Sequence, residues 1–153
     1  MNQTLALRIP EPRVLGALVA GGIAADLAWE VWARVVTPVF VGGPLQPAAL
    51  ILSLFRLPGD YYPHAEVLHL MTGALFYPLI MWAIRAYIYR GGRVVDGIII
   101  GLFTWFLALG VFAPLAGLPF MLGFIKLAWF SGIGHLAYGL VLSFVFHALA
   151  RER

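Results

Sequence analysis

The chain has no cysteine and very little charge. Without cysteine it can form no disulfide, no thiolate metal site, no iron–sulfur cluster and no covalently attached c-type haem. Charged residues make up 11% of the 153 residues, where a soluble domain carries about a quarter. The formal net charge is only +3, and the basic residues sit at the ends of apolar runs, which reads as orientation signals and excludes a nucleic-acid surface. What fills the chain instead is apolar: 62% of it is hydrophobic, an excess that only lipid can hide.

Four apolar runs are each near the roughly 20 residues a helix needs to cross hydrocarbon. They lie near Val14–Val36, Pro63–Tyr89, Gly97–Ala113 and Leu127–Ala150, with Pro63 suited to a first helical turn. The expected fold is an all-α, polytopic four-helix membrane bundle forming one integral membrane domain over 1–153. Arg8 and Arg13 precede the first span, Arg85, Arg90 and Arg93 separate the second from the third, and Arg151 and Arg153 end the chain. The opposite side has Arg34, Arg56 and Lys126. The positive-inside rule then places both termini in the cytoplasm. A secretory signal peptide ending near Ala24–Ala25 is the competing reading, but the apolar run continues past Asp26 through Trp29, Trp32 and Val36.

An internal match points to a tandem duplication of a helical hairpin, one copy over about 13–90 and one over about 94–151. His69-Leu70-Met71-Thr72-Gly73 repeats as His135-Leu136-Ala137-Tyr138-Gly139, and Arg85 matches Arg151. Trp29 and Pro38 match Trp105 and Pro114. Gly97 with Gly101, and Gly21 with Ala25, have the spacing that lets membrane helices approach closely. The long first outer loop carries an apolar stretch, Ala48–Leu57, expected to lie as a short interfacial helix because unpaired backbone cannot cross lipid. The second outer loop is apolar too, with Phe120, Met121, Leu122 and Phe124.

Within the first span, Asp26, Glu30 and Arg34 form a stripe at intervals of four. Charges inside a membrane segment are costly and mark a partner, a cavity or a site. At about 1.5 Å per residue, Glu30 lies about 26 Å from Arg13, and His69 and His135 lie about 24 Å from Arg85 and Arg151. Three helices therefore bring Glu30, His69 and His135 to one level in the outer part of the bilayer. Asp26, Glu30, Arg34, His69 and His135 form the candidate polar site. Its bland reading is packing and anchoring, with Glu30 paired to Arg34 along the helix.

Three functional readings stand beside it. His69 and His135 are placed to be axial ligands of a haem b, with Gly73 and Gly139 making room. A metal site would use Asp26, Glu30 and the two histidines. Glu66 and His69 even form one Glu-x-x-His element, but Gly132 stands where a second glutamate would be needed. Asp26 and Glu30 with a nearby histidine suit proton handling, and a quinone pocket would be lined by Trp29, Trp105 and Tyr138. His64 and His147 read as interfacial.

The segments Trp32-Ala33-Arg34, Val41-Gly42-Gly43-Pro44-Leu45-Gln46-Pro47-Ala48-Ala49-Leu50 and Gly134-His135-Leu136-Ala137-Tyr138-Gly139 resemble a group of small, uncharacterised four-helix proteins of the bacterial inner membrane. The resemblance implies that fold and that membrane, and no activity. The expected function is a non-catalytic accessory subunit of a larger membrane complex, of respiratory or photosynthetic electron-transfer type. The rivals are a bis-His haem b protein in quinol-linked electron transfer and a small transporter or proton-relay protein. The expected partners are the lipid bilayer and other membrane subunits, with a quinone in the rival reading and no nucleic acid.

Overall fold

A computed structural model describes residues 9–150. Arg8, Arg151 and Arg153, which the orientation argument uses, lie outside the described residues, as does one half of the Arg85–Arg151 match. Five helices are present: α1 (Pro12–Val41), α2 (Pro47–Phe55), α3 (Gly59–Tyr87), α4 (Arg93–Leu115) and α5 (Lys126–Ala150). All but α2 are long and apolar enough to cross a membrane, and the described residues contain no strand. The molecule is an all-α four-helix membrane bundle. Its terminal end holds the start of α1 and the finish of α5; the opposite, capped end carries α2.

Prolines shape three of the spans. Pro38, Pro78 and Pro114 lie inside α1, α3 and α4, where each removes a helical N–H and presses on the carbonyl four residues back. Just before each of them the helix widens into π turns, over Trp32–Val36, Thr72–Phe76 and Phe106–Phe112. In α1 the carbonyls ahead of Pro38 find donors: Trp32 O accepts both the Thr37 N–H and Thr37 Oγ1, the latter at 2.9 Å, and Ala33 O accepts the Leu45 N–H at 3.2 Å. Such local repair is what keeps proline tolerable inside a bilayer. It also explains why α1 continues to Val41, past the expected end at Val36. Helix α5 has no proline and stays regular for its 25 residues.

Helix α5 is the central member. It packs along α1 on one side and α4 on the other, and α1 in turn packs on α3. Glycines set these approaches. A Cβ on Gly139 would meet Gly101 N at 2.7 Å, one on Gly101 would meet His135 O at 2.7 Å, and one on Gly21 would meet Leu142 O at 2.9 Å. These are backbone contacts, so no side-chain movement relieves them. A twofold relation between the hairpins would make the α1–α5 and α3–α4 contacts equivalent, and they are not. Helix α3 meets α4 chiefly through its last turns, Tyr77–Tyr87.

The main core lies between α1, α3 and α5, around Leu18, Trp29, Met81, Tyr138, Leu142 and Phe146. A second cluster closes the capped end, where Leu50 of α2 covers Leu109, Ala113, Met121 and Ala128. The short helix expected in the first outer loop is therefore α2, lying across the bundle's end. In the second outer loop Met121, Leu122 and Phe124 adopt left-handed backbone, with φ of 49°, 51° and 57°. Each costs on the order of 1–2 kcal/mol for a residue with a Cβ.

Candidate functional site

At the capped end, Arg34 is the centre of an ionic bridge between α1 and α3. Its guanidinium pairs with Glu30 on its own helix and with Glu66 on α3; the Glu66 contact is an ion pair without hydrogen-bond geometry. Glu30 and Glu66 are mostly covered, whereas the Arg34 side chain is 54% exposed. His69, one turn from Glu66, presents Nε2 to Glu30 Oε1 at 3.8 Å. Glu66 was weighed in the sequence only as half of a di-iron element; its part in the site is to share Arg34.

Trp29 joins the two histidines. Its ring lies edge-on to His135 with centroids 4.4 Å apart and to His69 at 6.3 Å. The three helices thus meet at one level, at a tryptophan. His135 donates Nδ1–H to the Ser131 carbonyl at 2.8 Å, which leaves Nε2 as the free ring nitrogen. Trp29 is only 5% exposed, yet its Nε1, like His69 Nε2, has no hydrogen-bond partner among the described residues.

The other expected members lie elsewhere. Asp26 is buried one turn deeper, with its carboxylate against Gly73, apart from the Arg34 bridge; a Cβ on Gly73 would strike it. The stripe read from the sequence is therefore two sites. Tyr138 donates to Gly73 O at 2.6 Å and packs against Tyr77. Gly139 rests on Gly97 and Gly101 of α4, facing away from the histidine layer. Trp105 donates to Ala128 O at 3.1 Å and covers Gly132. Trp105 and Tyr138 thus face different neighbours and share no pocket. Among the described residues no three His, Asp or Glu side chains are gathered so as to hold a metal ion, which removes support from the Asp26, Glu30 and histidine metal reading.

A second polar cluster, at the terminal end, escaped the sequence reading. Asp96 on α4 is 4% exposed and Arg85 on α3 is 6% exposed. The Asp96 carboxylate pairs with Arg85, receives the Gly91 N–H at 3.1 Å and lies 2.9 Å from His147 Nε2 on α5. Arg85 also donates to Gly91 O at 3.1 Å and lies over the Phe146 ring. Three helices are tied there. His147, expected to be merely interfacial, and Arg85, read as an orientation charge and as the repeat partner of Arg151, belong to this network. The available signal was Asp96 itself, an acid near a helix start among arginines.

A family profile matches residues 12–153, from the first residue of α1 onward. The chain belongs to the family of unknown function DUF6789. The DUF6789 region includes all four spanning helices and both polar clusters. No curated protein and no solved structure matches the chain.

Proposed function

We propose that this protein is a non-catalytic membrane subunit that docks another membrane protein through its capped end. The observation that carries the reading is the surface of that end. Phe55, Leu57, Leu115, Leu118, Phe120 and Phe124 lie near or beyond the ends of the spanning helices and stay substantially exposed. Exposed apolar surface of this kind marks an interaction site. The strained left-handed turn Met121–Phe124 holds part of it, and such strain persists where surrounding structure enforces it, often at functional segments. The Arg34 bridge beneath this surface then serves to fix α1 against α3. The reading places the chain in a bacterial inner membrane, with the arginine-rich terminal end in the cytoplasm and an electron-transfer complex as the host assembly. Purification from native membranes in mild detergent tests it: the chain co-purifies with a stoichiometric partner, and a chain that runs alone contradicts the proposal.

A proton-handling role has one observation of its own, the buried Trp29 Nε1 and His69 Nε2 beside Glu30. Replacing Asp26 and Glu30 with Asn and Gln in sealed vesicles should then abolish a proton flux that wild type supports; no flux in wild type ends this reading. A haem b between His69 and His135 finds less support. Trp29 touches both rings, and His69 Nε2 faces a carboxylate in place of an open axial position. Protein purified from haem-sufficient cells and reduced is expected to show no Soret band.

A further inference from the structure

An open groove lies at the capped end, away from the Arg34 bridge. It measures about 620 Å³ and opens outward between the finish of α1 and the start of α5. Its lining is Phe40 to Pro44 on one side and Ile125 to Leu127 on the other. Lys126 is the one charged side chain of that lining, and no carboxylate faces it. Lys126 Nζ donates to Phe40 O at 2.6 Å, the carbonyl of a residue in the last turn of α1. An ammonium has three N–H donors, so two remain for a guest. The ammonium also lies 5.9 Å from the centre of the Phe130 ring, which holds the lysine over the groove.

We infer that this groove seats the phosphate of an anionic phospholipid. Three observations favour that occupant. The groove lies where two spanning helices end, the depth at which headgroups lie. Its walls carry half-exposed aromatic and aliphatic side chains, Phe40 and Ile125, beside a lone cation, which suits a molecule with an anionic head and an apolar body. Its 620 Å³ opens outward beside Lys126, so a headgroup can approach the ammonium. The inference stands apart from docking of a protein partner, because the groove is formed by α1 and α5 and that surface by α2 and the second outer loop.

The test uses the full chain in detergent micelles supplied with phosphatidylglycerol or phosphatidylcholine, and native mass spectrometry to count retained lipid. Wild type should keep one phosphatidylglycerol in preference to phosphatidylcholine. Lys126→Gln should lower that retention about fivefold, the effect of one lysine near an anionic lipid surface. Lys126→Arg should restore it. Gly43→Asp supplies a second variant that keeps Lys126 itself in place. A Cβ there has open space, and the new carboxylate should repel the phosphate to a similar extent. Arg93→Gln, at the opposite end beside Phe144, should change nothing. Equal retention by wild type, Lys126→Gln and Gly43→Asp overturns the inference, and so does equal loss in Arg93→Gln. Retention of inorganic phosphate in place of the lipid overturns it as well.

Discussion

The Asp96 cluster and the Arg34 cluster each tie helices together with charge, and they differ in completeness. At the terminal end one buried carboxylate meets a buried arginine, a backbone N–H and a partly covered histidine. At the capped end two glutamates share one arginine that is itself half exposed, and Trp29 Nε1 and His69 Nε2 are left over. A buried network with every member satisfied rigidifies what it joins, whereas a partly satisfied one leaves capacity for something else. The contrast teaches that the terminal cluster is structural. The capped end is where interaction is to be sought, since exposed apolar surface and strained backbone are found there too.

The largest effect should come from Asp96→Ala. It removes the carboxylate paired with the buried Arg85, and breaking a buried pair from one side costs about 3 kcal/mol or more. Thermal unfolding in detergent should show it, and Arg85→Leu combined with Asp96→Leu should recover part of the loss. No recovery would mean that the pair is not the reason Asp96 matters. Next comes Gly139→Ala, where the added Cβ meets the Gly101 backbone; overpacking of this kind costs about 2 kcal/mol. That change touches neither cluster, so its effect should add to that of Asp96→Ala. Gly43→Ala, with open space around it, is the matched substitution that should be silent. The smallest effect belongs to Arg34→Gln. Half-exposed ion pairs contribute about 1 kcal/mol or less, so a loss as large as that of Asp96→Ala would erase the distinction between the two clusters.

Much of this was legible in the sequence. Apolar run lengths reveal the four spans, and rise per residue alone puts Glu30, His69 and His135 on one level, where the structure gathers them around Trp29. Periodicity could not show that Asp26 lies against Gly73 while Glu30 pairs with Arg34, because a spacing of four puts both acids along one side of α1 without saying which residues of α3 each meets. The Asp96 network was hidden because Arg85 and His147 sit at span ends, where charges are usually solvated. The left-handed turn was hidden because Met121, Leu122 and Phe124 carry no local preference for it; only Gly123 does.

The central claim is that the capped end docks a membrane partner. Photo-crosslinking in native membranes tests it most directly, with the reactive group placed at Phe124 and, for comparison, at Leu102 in the middle of α4. The account predicts one discrete protein adduct from Phe124, lost when Phe120 is changed to Asp, and none from Leu102. No adduct from Phe124, or the same adducts from both positions, would contradict it.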